Sequence, residues 1–302
     1  MTDDFKIFAQ PGNADPIQRV LLAGITGYLG GFIALELQKR GYYVRAIGRH
    51  LERLKRRPIC ADEAIEVDLT KPDTLEHCCK NVDTVISTVG ITRQKDGLSY
   101  KDVDYQANMN LLQQAIHDNV KKFIYVSVLN GENLRQLKLC EAKEMFVDQL
   151  KRSGLEYCII RPNGFFSDMT EFYEMAKKGR VYLFGAGTFK ANPIHGEDLA
   201  EVCVDAVERS EPEVKVGGPD TLTHNEIAAA AFTAVGNPPK ISHIPDWIRV
   251  AVLAMVRMFT GSRVYGPIEF FLTVMAMDMI APEYGTHTLR EYFNSLNRTN
   301  AV

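Results

Sequence analysis

From Val20 to Arg161, short apolar runs alternate with stretches in which apolar residues recur every three or four positions. The runs RVLLA, YYVRAIG, AIEV, DTVIST, FIYVSV and EYCII are rich in β-branched and aromatic residues and read as strands. Helical spacing fills Gly27–Arg40, Pro72–Lys80, Tyr100–Asp118 and Cys140–Ser153. Strands that are apolar at nearly every position are buried on both faces, and helices of about ten residues can carry βαβ crossovers. The pattern predicts an α/β fold, a doubly wound parallel sheet covered by helices on both sides.

After Arg161 the pattern loosens. RPNGFF opens a second region, ANPIHGEDLAEVCVDAVERS reads as a strand and a capped helix, and LTHNEIAAAAFTAVG as a further helix. Pro245–Ile280 is rich in Met, Phe and Val but is interrupted by Arg249, Arg257, Arg263, Glu269 and Asp278. It therefore offers no window of about twenty uncharged apolar residues for a membrane span. Core or dimer-contact helices are the first reading. A lid over a large apolar ligand and an interfacial helix against a membrane are the alternatives.

A chain of 302 residues suits one α/β core with a smaller lobe. An apolar fraction of 46% with 24% charged residues is that of a soluble globular protein. The formal net charge of −3 gives no overall field toward nucleic acid or an anionic membrane. The basic cluster Arg53, Lys55, Arg56, Arg57 reads as a solvated helix face. The six cysteines, Cys60, Cys78, Cys79, Cys140, Cys158 and Cys203, form no C-x-x-C pair, and the vicinal Cys78-Cys79 in a predicted helix is poorly placed for zinc. Reduced, buried thiols, no metal and a cytoplasmic location are expected. MTDDFKIFAQPGNADPIQR lacks the basic and apolar segments of a signal peptide and is read as an arm.

Chemistry enters at LLAGITGYLGG. Gly24, Gly27 and Gly30 lie between the strand RVLLA and a helix, spaced for a tight turn, a close approach to a pyrophosphate and close helix–strand packing. Thr26, Tyr28 and Leu29 complete the loop and the first helical turn, whose free N–H groups and dipole favour phosphate. A dinucleotide is the implied ligand. NAD would want an acid at the end of the second strand to accept from the ribose 2′-hydroxyl. Arg49 stands there instead, with no acid before Glu52, so NADP(H) is favoured over NAD(H). Arg49 could also simply cap the next helix. Asp68, in Asp68-Leu69-Thr70, could accept from the adenine amino group or cap the helix near Pro72. Ser87, Thr88, Val89 and Gly90 are small residues that leave room for the adenosine.

These motifs, with Arg161-Pro162-Asn163-Gly164-Phe165-Phe166, PIHGEDLA, Gly217-Gly218-Pro219 and Tyr284-Gly285-Thr286, resemble the short-chain dehydrogenase/reductase superfamily. The resemblance runs from about Arg19 onward and falls in the atypical and extended branch, near the divinyl chlorophyllide 8-vinyl-reductase and NmrA-like groups. It implies an NAD(P)-binding Rossmann fold. It also implies that Lys143 holds the nicotinamide ribose, that Ser127 matches the catalytic Ser, and that Pro162, Asn163 and Phe165 border the nicotinamide; Asn163 reads equally as a turn residue. The superfamily's Tyr-x-x-x-Lys is broken, since Leu139 stands four residues before Lys143. That loss disfavours alcohol–ketone exchange and sugar epimerisation, which need the phenol as proton relay. Reduction of a carbon–carbon double bond, with the proton donated elsewhere, survives it, and so does non-catalytic sensing. His195 is a donor candidate, though PIHGEDLA reads first as a strand end and helix start. Tyr100, Tyr105, Tyr173 and Asp168 are the others.

The expected organisation is an arm over 1–18, a dinucleotide-binding domain over 19–162 with 190–210 returning to it, and a mainly helical substrate lobe from 163–189 and 211–302. The expected function is NADP(H)-dependent reduction of a large apolar conjugated substrate, with a vinyl-tetrapyrrole conceivable. The alternative is an NmrA-like NADP(H) sensor or assembly scaffold. Expected partners are the dinucleotide and an apolar small molecule, with no nucleic acid and no spanning helix. Peripheral membrane contact and a monomer or homodimer both remain open.

Overall fold

A computed structural model describes residues 17–49, 61–91 and 97–299. The arm up to residue 16, Glu52, Cys60 and the basic cluster at 53–57 lie outside the described residues. Seven parallel strands form the central sheet in the order β3-β2-β1-β4-β5-β6-β9. They are β1 (Arg19–Ala23), β2 (Tyr43–Gly48), β3 (Glu63–Glu66), β4 (Thr84–Ser87), β5 (Lys122–Val126), β6 (Glu156–Pro162) and β9 (Glu213–Val216). Every side chain of β4 and β5, and all of β1 after Arg19, is buried. Continuous apolar strands thus mark a sheet covered on both faces.

Two cores account for that covering. On one face α1 (Tyr28–Lys39) and α5 (Gly196–Glu208) pack over Val20, Leu22, Ile86 and Ile124. On the other, α2 (Asn108–His117) and α3 (Lys138–Arg152) pack over Leu21, Val85, Phe123 and Tyr125. The five described cysteines are free and buried, as expected of small apolar residues.

Two local expectations change. The helix expected over Pro72–Lys80 is a single 3-10 turn, Pro72–Leu75, followed by tight turns in which His77 and Asn81 adopt positive φ. Left-handed residues stop a right-handed helix from propagating. The helix expected from Tyr100 opens as a π-helix, Lys101–Ala107, before α2. Its wide turn is stitched by Asn108, whose Nδ2 donates to the carbonyls of Val103 and Asp104 at 3.2 and 3.1 Å.

Beyond β6 the chain builds a smaller lobe from α4 (Thr170–Lys177), β7 (Val181–Phe184), α6 (His224–Val235), β11 (Ile241–Ile244) and α9 (Leu289–Thr299). Its own core holds Phe172, Tyr173, Phe232 and Phe293. β7 pairs with β11 in parallel, and β8 (Lys190–Ala191) with β10 (Leu222–Thr223) antiparallel. β9 belongs to the large sheet, where it pairs in parallel with β6. The remaining helices are α7 (Asp246–Phe259) and α8 (Ser262–Val274). The core expectation fails for α7, none of whose side chains is buried. Its main packing partner, α8, takes up only its inner side. Among the described residues no helix is long and apolar enough to cross a membrane.

A close backbone contact joins α1 to the turn before it. A Cβ on Gly30 would stand 2.2 Å from the Gly24 carbonyl oxygen and 2.8 Å from the Ile25 Cα, both backbone atoms that cannot yield. Gly30→Ala is expected to cost about 1–3 kcal/mol of overpacking strain, read as a lowered midpoint in urea unfolding.

Candidate functional site

In an open parallel sheet, ligands sit beyond the carboxyl ends of the strands, where successive connections leave in opposite directions. Here that point lies between β1 and β4. The β1–α1 turn is closed by the Gly27 amide donating to the Gly24 carbonyl at 2.9 Å. Gly24 has φ +93, and a Cβ there would stand 2.4 Å from Thr88 Oγ1. Glycine is therefore required both for the turn and for the passage of β4 beside it. No side chain caps the start of α1 at Gly27. Helix N–H groups and the positive end of the dipole thus face the crevice, a cradle that fits a pyrophosphate.

The neighbouring expected residues divide into those at the crevice and those used elsewhere. Gly27 is exposed and Thr26 half-buried, while Leu29 lies in the core. The Tyr28 hydroxyl accepts from the Gly196 amide at 3.2 Å, tying α1 to α5, and its ring lies 5.8 Å from that of Phe165. Arg49 is exposed at the end of β2, close enough to Asp68 that its charge favours the ionised carboxylate. Burial alone would raise the Asp68 pKa. Hydrogen bonds from Thr70, with Arg49 and Lys71, outweigh it and hold the group below the usual range. Asp68 does not cap the turn at Pro72, whose N-cap is Lys71. It accepts from the Thr70 amide and hydroxyl at 3.1 and 2.7 Å, closing a local turn. Leu69 is buried, and its carbonyl accepts from Asn110 at 2.8 Å.

At the far side of the crevice, β4 continues into Thr88, Val89 and Gly90. A Cβ on Gly90 would lie 2.5 Å from Asp104 Oδ1 and 3.0 Å from Lys143 Nζ. Lys143 is therefore no exposed helix lysine. Its ammonium sits 3.1 Å from Asp104 Oδ1 and donates to the Tyr125 hydroxyl and the Val126 carbonyl at 3.4 and 3.5 Å. Burial works to lower its pKa, and the facing Tyr125 and Asp104 outweigh that and raise it above the ordinary lysine value. Leu139, one turn earlier, packs with Tyr100, Tyr105, Ile91 and Phe270 of α8 in an apolar cluster.

Ser127 is turned inward. Its hydroxyl donates to Glu144 Oε1 at 3.1 Å, and Glu144 is gripped by the buried Arg161 through two bonds of 2.6 and 3.0 Å. Pro162 ends β6. Beyond it, Asn163 donates to Asn192 Oδ1 at 2.7 Å and to the Met279 carbonyl at 2.6 Å, and accepts from the Gly164 amide. Its side chain thus joins the sheet to the lobe. Phe165 lies against Tyr28, within reach of the β1–α1 turn.

His195 caps α5, accepting from the Glu197 amide at 3.3 Å, and stacks on His287 at 4.4 Å. Glu197, His195 and His287 bring ligating atoms within 4.8 Å of one another, but His287 is already held by Asp198 at 2.7 Å and Glu197 at 3.0 Å. The cluster ties the segment after Gly285 to the start of α5. Of the donor candidates, Tyr100 and Tyr105 join the Leu139 cluster. Tyr173 is in the lobe core, and Asp168 accepts from the Phe165 amide at 3.0 Å.

Sequence reasoning missed Asp104, Asn108, Glu144 and Arg161. Asn108 accepts from Ser87 Oγ at 2.6 Å and donates to the Val89 carbonyl at 3.1 Å, so it fixes the end of β4. The available signal was polar residues on otherwise apolar helix faces, Asp104 and Asn108 being one helical turn apart.

Known proteins place this geometry. The chain is 27% identical to the divinyl chlorophyllide a 8-vinyl-reductase of Arabidopsis thaliana, across 92% of this chain and 76% of that one. It is also 27% identical to the photosystem II assembly factor Ycf39 of Synechocystis, across 80% and 74%. An NADPH-dependent quinone oxidoreductase from Escherichia coli, solved with NADPH, has the same fold, with a TM-score of 0.71 at 16% identity over 92% of this chain and 99% of that one. The NAD(P)H-binding family profile matches residues 24–210, from the first glycine of the crevice to the end of α5, and the chain belongs to that family.

Proposed function

We propose that the chain is an NADPH-dependent reductase acting on a carbon–carbon double bond of a large, apolar, conjugated substrate. The observation that carries this reading is Lys143, a buried ammonium beside Gly90 at the crevice, with Leu139 in place of a phenol one turn away. Gly24, Gly27 and Gly30 would cradle the pyrophosphate, Arg49 the 2′-phosphate, Asp68 the adenosine end and Lys143 the nicotinamide ribose. When bound, the nicotinamide would supply a hydride.

Lys143, with its raised pKa, keeps its proton at neutral pH, so it serves as a fixed cation and positioning donor rather than as the acid. The proton falls to a phenol beside Leu139, and Tyr100, buried in that cluster, is the candidate we favour. Leu139, Ile91 and Phe270 would offer an apolar wall of the kind that suits a ligand with few polar anchors. The relatives named as vinyl reductases favour this chemistry. The loss of Tyr at position 139, with relatives named as assembly factors, favours the second reading, an NADP(H)-binding scaffold without turnover. We also propose that the dinucleotide half spans 19–162 with the return through α5 and β9, and that the rest forms the substrate lobe.

An NADPH-oxidation screen over enones, quinones and vinyl-tetrapyrroles separates the two readings. Turnover with at least one acceptor, lost about tenfold or more in Tyr100→Phe with NADPH affinity intact, supports the reductase. NADPH binding without oxidation of any acceptor supports the scaffold. Titration with both nucleotides should show Arg49→Ala weakening NADPH about 10–100-fold, the loss of a charge-assisted contact, while leaving NADH nearly unchanged. Lys143→Met should cost about 3–5 kcal/mol by stranding Asp104 in the interior. Adding Asp104→Asn should return much of that stability without restoring NADPH affinity, which separates the binding role from the structural one.

A further inference from the structure

α7 carries its apolar residues on the wrong side for a core helix. Trp247, Val250, Ala251, Ala254, Met255, Met258 and Phe259 recur at the spacing of one helical face, and all are exposed. Trp247 is 69%, Met258 71% and Phe259 73% accessible. The stripe runs about 18 Å along the helix and contains no charge. On α8, Val264 and Phe271 are exposed as well. Isolated surface hydrophobes need no explanation, but a contiguous stripe of this size marks a contact.

The arginines beside the stripe are already neutralised. Arg249 makes two bonds to Asp246, at 2.7 and 3.1 Å, and Arg257 donates to the buried Glu269. An anionic bilayer would want a free basic set around the apolar face, and the chain as a whole carries −3. A neutral apolar surface is complementary to another of the same kind. The order of sizes points to which one. Taken about residue 253, the stripe has an aromatic at each end, Trp247 and Phe259, and Ala251 mirrored by Met255. Laid antiparallel on itself, it sets ring against ring at both ends and small against large near the centre, where Ala251 and Ala254 allow the axes to come close.

We propose that α7 is the contact of a two-fold symmetric homodimer, packing antiparallel on α7 of a second copy with the axis near residue 253. Such a contact uses the same patch on both copies and closes on itself. Trp247, Met258 and Phe259 keep roughly seven-tenths of their surface and Val250 and Met255 about half, so closing the stripe would bury several hundred Å² per partner, approaching the roughly 800 Å² of a standard interface.

Sedimentation equilibrium over a range of concentrations, with oxidative cross-linking of single cysteine variants, tests this. The wild type should be a dimer, and Met255→Glu should raise the dimer dissociation constant by on the order of a hundredfold or more, with unchanged thermal unfolding of the monomer. Ala254→Cys, close to the axis, should form an intermolecular disulfide above the wild-type background. Phe259→Cys, about 18 Å from its counterpart, should not. A wild type that is monomeric throughout, a dimer that survives Met255→Glu, or cross-linking at 259 would each overturn the proposal. So would a monomer that sediments with phosphatidylglycerol vesicles, which would assign the face to a membrane surface.

Discussion

Two consecutive residues of α3, Lys143 and Glu144, carry opposite charges, Glu144 fully buried and Lys143 nearly so, and they reach in different directions. Lys143 meets Asp104 on the π-helix, and Glu144 meets Arg161 on β6. Separating either pair would leave a bare charge in the interior, so both must be satisfied at once. That requirement fixes the rotation of α3 about its axis and its height above the sheet. It also brings Asp104 and Lys143 so near the end of β4 that a side chain at position 90 would have to push their charged ends aside. Ser127 and Asn108 complete the clamp, one bonded to Glu144 and the other to Ser87 and the Val89 carbonyl. The crevice has its shape because this lattice leaves its walls no freedom.

The parallel sheet and the β1–α1 turn were legible because their signals are local. An apolar run has one plausible fate when helices flank it, Gly24 turns the chain with φ +93, and Gly30 packs on the Gly24 carbonyl six residues before it. That Lys143 is more than an exposed helix lysine was expected only through resemblance, and its partner Asp104, 39 positions away, left no signal in the spacing. Asp104 and Asn108 sat in plain view as polar residues in a helix. Their meaning depended on a widened turn that ordinary helical periodicity does not encode.

Ser127 and Asn163 teach the opposite lesson. Each stands at a motif position, yet its side chain is taken up by buried partners, Glu144 in one case and Asn192 with Met279 in the other. Those partners come from remote parts of the chain, so no local pattern could reveal the competition. Pro245–Ile280 was ambiguous for a related reason. An apolar helix face looks the same in sequence whether it turns inward or outward, and only the packing of α7 on α8 decided it.

The long-range stitching at the lobe has a consequence for how the molecule is made. Asn192 bonds to Ala281, Gly217 accepts from Tyr284, and Asp198 holds His287, so the edge of the sheet beyond β6 is finished by residues 279–287. A ribosome adds residues at about 5–20 per second from the N-terminus, and domains generally fold as they emerge. Here the nucleotide half is translated first, but the backbone groups of Gly217, just past its outer strand, and the Asp198 carboxylate on α5 wait for a segment made tens of residues later. During that interval the nascent chain carries an unfinished sheet edge, the kind of surface that chaperones cover.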